Sequence, residues 1–304
     1  MIVISPQIIT VMSARLILAH VAMFLVALIY AANFSLAKMA MPAYVGAFGF
    51  ILLRVTAAAS LFFLSSIFVR EKVSRKDMGM MVITSIFGVA LNMLTFFKGL
   101  ELTTPINGAL IMLTTPILVL VFSIFALGER LNFLKIIGIG LGLSGALILT
   151  LLNSDVSTAE APNPFLGNIL VAINAASFGV YLILIKPLSK KYHPVTVLKW
   201  NFGLGFLFVF PFGIGQVMAM DFVAIPFKIW MIIAFVLFFV TYIAYLLNGA
   251  ALTIVSPSVV GAYIYLQPLI TVLIAVIGGH DTITWNMILA GLLIFCGVFL
   301  VSKR

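Results

Sequence analysis

Hydrophobic residues in this chain come in long uniform blocks separated by short polar joints. Ten runs can be traced, at Leu16–Ala37, Tyr44–Val69, Gly79–Phe97, Pro105–Leu127, Phe133–Leu152, Phe165–Leu188, Pro194–Val217, Pro226–Leu247, Pro257–Gly278 and Trp285–Val301. A hydrocarbon core of about 30 Å takes roughly 20 apolar residues of helix, close to the length of each run. Strands of a membrane barrel would be short and alternating. The bilayer has no water to satisfy open backbone, so uniform runs of this length predict helices. The first run is too long for a signal peptide, and its polar end at Asn33 and Lys38 lacks a small-residue cleavage site.

Composition strengthens this reading. Of 304 residues, 64% are apolar and 8% charged, whereas a soluble domain runs near half and about a quarter. A single soluble core is excluded. The formal charge of +9 raises the question of nucleic acid, but the basic residues sit between the apolar runs and form no stripe. That placement is the mark of topology determinants at a lipid bilayer. With an internal N-terminus, 13 of the 17 lysines and arginines fall on the inner side, 3 (Lys38, Lys98 and Lys228) on the outer, and Arg54 within a span. The asymmetry predicts that both termini are cytoplasmic. Cys296, the single cysteine, permits no intrachain disulfide and is expected to pack as a small apolar group.

One stretch reads as a linker, Asn153–Pro164, polar and free of Lys and Arg, and it divides the runs five and five. A shift of 152 residues aligns Pro105 with Pro257, Pro116 with Pro268, Leu141 with Leu293, Gly145 with Gly297 and Glu129 with Asp281. The pattern points to a duplication, with residues 16–152 and 165–304 as the copies, residues 1–15 a cytoplasmic segment and 153–164 an extracytoplasmic linker. Five is odd, so the second copy enters the membrane the other way up. Inverted repeats place a binding site near the midplane between the halves, which points to transport.

The segment Gly99–Leu149 resembles the EamA-type family of the drug/metabolite transporter superfamily. The resemblance lies in Thr115-Pro116, the Gly128-Glu129-Arg130-Leu131 turn and the Gly138 to Gly145 helix. It extends to the first span, ending Ala32 to Lys38, and to Arg54 in the second. The second half departs at Gly279-His280-Asp281, where no Glu-Arg pair is kept. The resemblance implies a ten-helix permease of small organic metabolites in the bacterial inner membrane, often an exporter.

Polar residues recur at helical spacing on several spans. Tyr30 and Asn33 share a face, as do Asn92 and Phe96, and Asn174, Ser177 and Tyr181. Asn107, Ile111 and Thr115 form a stripe that the repeat maps onto Val259, Tyr263 and Gln267; Thr241, Tyr245 and Asn248 form another. Any one such group can simply join helices by hydrogen bonds. As a set they are expected to converge on a substrate cavity lined by Tyr30, Asn33, Asn92, Phe96, Asn107, Thr115, Ser177, Tyr181, Tyr245, Tyr263 and Gln267. Arg54 lies roughly 15 Å into its span, near the midplane. It reads either as a functional charge or as a structural one bonded to helix carbonyls. Lys38 is expected to reach the interface.

All eight carboxylates fall in loops or at span ends, so a proton relay through the membrane has Glu101 as its one candidate. Glu129 is expected to pair locally with Arg130. Gly142-Leu143-Ser144-Gly145 matches the motif of intramembrane serine proteases, but no histidine is placed to activate the serine. Ser144 is instead read as part of a tight crossing built on Gly138 and Gly142. The fold expected is an all-α membrane protein of ten spans in two inverted repeats. Its expected partners are a small-molecule substrate and the bilayer, with no nucleic acid, cofactor, metal or catalytic residue; a monomer is the oligomeric state entertained. The runner-up is a membrane enzyme or a non-transporting scaffold.

Overall fold

The computed structural model describes residues 6–41, 43–103, 105–152, 162–277 and 284–303, and among these residues it contains helices and no strand. The helices group into α1 (Pro6–Ala40), α2 (Ala47–Ser65) and α3 (Arg75–Leu102, with a π-helical stretch at Ile86–Ala90). Next come α4, in two pieces (Pro105–Met112 and Thr115–Leu127), and α5 (Phe133–Leu152). The second half holds α6 (Pro164–Lys191), α7 (Pro194–Met218) and α8 (Phe227–Ile254, π-helical at Val236–Ile243). It closes with α9 (Pro257–Ala262, Tyr263–Tyr265 and Leu266–Ile277) and α10 (Trp285–Ser302). Nine segments among the described residues are long and apolar enough to cross a membrane; α5 is a further apolar helix packed among them. Residues 153–161 of the linker, with Asp155 and Glu160, and residues 278–283, with His280 and Asp281, lie outside the described residues. So does the side chain of Lys38, which is carried on α1.

Helix ends follow the local sequence. Proline opens α6, α7 and α9, where its missing N–H costs nothing. Asn163 caps α6, Ser74 caps α3 and Thr284 caps α10, each side chain accepting a backbone N–H. Gly128 ends α4 at φ 62, a left-handed conformation that side chains rarely adopt. The two prolines matched by the repeat, Pro116 and Pro268, explain why α4 and α9 break at the same place. Proline lacks a donor and its ring collides with the carbonyl four residues back, so each helix is interrupted just before it. The π-helical stretches repeat as well, since a 152-residue shift carries Ile86–Ala90 into Val236–Ile243.

Packing obeys the same symmetry. α3 packs on α6, and its counterpart α8 packs on α1; α4 packs on α6, and α9 on α1. α2 and α5 pack on their own counterparts, α7 and α10. At the second of these crossings a methyl group built on Gly138 would stand 2.7 Å from the Gly297 carbonyl oxygen, and one on Gly145 would stand 2.6 Å from that of Ala290. The repeat maps Gly138 onto Ala290 and Gly145 onto Gly297, so these are one contact seen from each half. The partner numbers fall as the α5 numbers rise, so the equivalent helices run antiparallel. α2 and α7 do likewise, with Gly49 beside Gln216 and Phe62 beside Phe202. The halves are therefore inverted copies.

Ser144 stands outside the α5–α10 crossing: it is exposed and donates to the Gly140 carbonyl. The crossing needs Gly138, Gly142 and Gly145 on one face, and residue 144 points the other way. Cys296 is likewise exposed, on the outer surface of α10 and not packed within the bundle. Phe125, Leu207, Leu292 and Phe299 are exposed too, an apolar exterior suited to lipid.

Gly297→Leu should lower the unfolding temperature in detergent, since overpacking a close contact costs about 1–3 kcal/mol. Gly140→Leu, with open space where its side chain would begin, should melt as wild type does. Equal melting of all three proteins would contradict the crossing.

Candidate functional site

A cavity with about 860 Å³ of empty space, including the part open to solvent, lies between the two halves. Its polar lining comes from α1 (Tyr30, Asn33), α2 (Arg54), α3 (Asn92), α6 (Asn174), α8 (Tyr245, Asn248) and α9 (Tyr263, Gln267). Its apolar wall includes Met23, Met93, Phe96, Phe97 and Phe178. The breaks and π-helical stretches of α3, α8 and α9 sit at the same level. Irregular backbone at membrane depth is tolerated where protein buries it or where it lines a cavity.

The side chains next to the cavity satisfy that backbone. Ser177 Oγ donates to the Phe87 carbonyl at 2.7 Å, and Tyr245 Oη to that of Gly88 at 3.3 Å. A Cβ at residue 88 would collide with the ring of Tyr181, so glycine is what lets α6 approach here. Asn174 Nδ2 donates to the Asn92 carbonyl at 2.7 Å, and Asn248 Nδ2 reaches Tyr30 Oη at 3.4 Å. His20 Nδ1 and Tyr263 Oη lie 2.8 Å apart, tying α1 to the 3₁₀ turn of α9. Thr241 Oγ1 donates to the Val236 carbonyl at 3.0 Å and accepts from Arg54 Nε at 2.9 Å.

Of the expected site residues, Tyr30, Asn33, Asn92, Phe96, Tyr245, Tyr263 and Gln267 line the cavity, and Arg54 joins them. Asn107, Thr115, Ser177 and Tyr181 are not among its lining. Ser177 and Tyr181 stand behind it, against the π-helical stretch of α3; Thr115 is fully buried at the break of α4. Asn107 is half-buried near the start of α4. Sequence reasoning placed Asn174 and Asn248 on polar stripes without assigning them to the site, and of the apolar wall it found Phe96 but missed Met23, Met93, Phe97 and Phe178. A signal was present: Met23 and Phe178 fall one or two helical turns from Tyr30 and Asn174 on the same faces, as Phe96 does from Asn92.

At the end of the bundle holding the 66–74 and 128–132 loops, polar side chains bridge the halves. Glu129 pairs with Lys135, not with its neighbour Arg130, which is exposed. Its second oxygen accepts from Ser258 Oγ at 2.8 Å, at the start of α9. The sequence expectation of a local Glu-Arg pair fails because the left-handed turn at Gly128 directs the carboxylate inward. Lys186 is buried and donates to the Leu252 and Val255 carbonyls at the end of α8. Those carbonyls have no partner within the helix, and a lysine there satisfies them. Asp77 gathers Lys191, Tyr192 Oη and Ser74, while the opposite end is joined by Thr103 to Asn168 and by Gly49 to Gln216. Glu101 is exposed and paired with Lys98.

Burial pushes the Glu129 carboxyl up, but the hydrogen bonds from Lys135 and Ser258 and the lysine charge outweigh it and hold it below the usual carboxylate range. A depressed carboxyl stabilises the fold above its unfolded pKa and loses that contribution as pH falls through its folded pKa. At neutral pH Glu129→Gln should therefore melt lower than wild type, by roughly 1–3 kcal/mol of stability. The gap should persist down to about pH 4 and close below it. A gap equally wide at about pH 3 would contradict the ionised clasp.

With this geometry in place, comparison with known proteins is informative. The model of the EamA-like transporter family matches residues 17–151 and again 165–303. The uncharacterized transporter YetK of Bacillus subtilis (strain 168) is 25% identical over 221 residues, covering 71% of this chain and 67% of that protein. The uncharacterized transporter YyaM of the same organism is 22% identical, covering 77% and 76%. An uncharacterized transporter of Archaeoglobus fulgidus is 23% identical, covering 73% and 75%. A crystal structure superimposes with a TM-score of 0.75 at 19% identity over 95% of this chain and 96% of that one, a likeness of fold.

Proposed function

Because this chain belongs to the EamA-like transporter family, whose model covers both halves, we propose that it is a secondary transporter of a small organic metabolite working by alternating access. Ten helices span the bacterial inner membrane, both termini and the Glu129 and Asp77 clasps are cytoplasmic, and export is the working direction. The observation that carries this reading is a cavity held between inverted halves, with polar groups supplied by both. Rocking of one half against the other about such a site opens it to each face in turn. Tyr30, Asn33, Asn92, Phe96, Tyr245, Tyr263 and Gln267 contact the substrate, and Asn107, Thr115, Ser177 and Tyr181 support the cavity from behind. Rings, hydroxyls and amides together suit a molecule with both apolar and polar parts.

Flux into proteoliposomes tests the site. Asn33→Ala and Gln267→Ala should each raise the half-saturation concentration several-fold, the value of one hydrogen bond of about 0.5–1.5 kcal/mol, while the protein still elutes as one species. Unchanged saturation in both would move the substrate elsewhere. Orientation is tested in a Cys296→Ala background with an impermeant thiol reagent on intact cells. Val223→Cys, at an exposed position between α7 and α8, should be labelled and Ser74→Cys protected. The reverse pattern would invert the topology.

A further inference from the structure

Among the described residues lining the cavity, Arg54 is the one charged side chain. It is 5% exposed, and an intramembrane cation is expensive unless something uses it. Its Nε is anchored on Thr241, itself fixed to the π-helical stretch of α8, and its guanidinium carbon lies 5.0 Å from the centre of the Phe97 ring. One edge and one face of the guanidinium plane are thus engaged. Its two terminal NH₂ groups donate to no described residue.

Nor does any described residue supply a counter-ion. The described carboxylates are all committed elsewhere: Glu71 to the His193 N–H, Asp77 and Glu129 in the clasps, Glu101 to Lys98, and Asp221 to the turn after α7. Among the described residues Arg54 is therefore a single unbalanced positive charge within its span, Ala47–Ser65, with its fork unspent. That fork matches a carboxylate, which it takes in two parallel charge-assisted hydrogen bonds.

On the transport reading above, we propose that the substrate is a small monocarboxylate with an apolar body, its carboxylate held by Arg54. One negative charge balances the site, whereas a dianion such as a phosphate ester would leave a net charge in the hydrocarbon region. The apolar body lies against Met23, Phe96 and Phe178. An organic cation is disfavoured, since among the described residues no acidic side chain lines the cavity and Arg54 would repel it.

Matched probes test this on the purified protein by thermal unfolding in chloride-free buffer. Phenylacetate, phenylacetamide and phenethylamine share one body, and hexanoate, hexanamide and hexylamine share another. The carboxylates should stabilise wild type at concentrations at least about tenfold lower than the amides, as expected for charged hydrogen bonds, and the amines should not stabilise it. Arg54→Gln should erase that preference, and Arg54→Lys, which keeps the charge without the fork, should weaken it. If Arg54→Gln does not fold, the wild-type ranking and Arg54→Lys decide. Amides or amines matching the carboxylates, a preference unchanged in Arg54→Gln, or no stabilisation by any carboxylate would each overturn the proposal. Neutral probes that stabilise wild type and Arg54→Gln equally would sink the anionic head group while leaving a substrate cavity standing.

Discussion

Every backbone N–H and C=O in the hydrocarbon region must find a partner inside the protein, because lipid offers none. That constraint makes the described spans helical, and it also decides where the helices are allowed to fail. α3, α4, α8 and α9 all depart from regular α-helix near the middle of the bundle. At each π-helical stretch the loosened carbonyls are met by side chains, Ser177 and Tyr245 on α3 and Thr241 on α8. Two of these three donors reach the carbonyl from the other half. The cavity exists because the helices are irregular there, and the irregularity survives because the halves complete each other.

The inverted duplication makes this arrangement economical. One five-helix unit carries a proline break and a π-helical stretch, and its inverted copy brings the same two features to the same depth from the other side. The small-residue crossing of α5 on α10 shows how closely the copies correspond, since Gly138 against Gly297 and Ala290 against Gly145 are the same contact twice. Polar clasps at both ends join halves whose apolar residues also share two buried clusters, one of which holds Phe62 and Phe202 and the other Ile139 and Ile294.

Much of the fold could be read from the sequence because it depends on local composition and spacing. Apolar runs of span length, prolines at matched positions and glycines at matched registers are visible in the chain itself. The site was legible in part: Tyr30, Asn92 and Gln267 line the cavity, while Ser177, on the same stripe as the lining Asn174, meets the Phe87 carbonyl and Thr115 is buried at the break of α4. Both kinds of polar residue have the same spacing, and only the packing of α6 on α3 separates them. The contacts of Glu129 and Lys186 were hidden for a similar reason. Their partners, Ser258 and the end of α8, are distant in sequence and reached through a turn whose direction one glycine sets. The apolar wall was hidden except at Phe96, since methionine and phenylalanine also face lipid and only their spacing from Tyr30, Asn92 and Asn174 marks them.

The central claim is that one cavity between the inverted halves is open to the two faces of the membrane in alternation. Phe96 lines it on the side of α3 nearer Lys98, and Val260 lines it near the start of α9, toward the Glu129 clasp. Single cysteines at these positions in a Cys296→Ala background can be exposed to an impermeant thiol reagent, first in intact cells and then in inside-out vesicles. Both positions are expected to react from both faces, at rates that differ with the face. Reaction of each from one face alone, or of neither from any, would contradict alternating access.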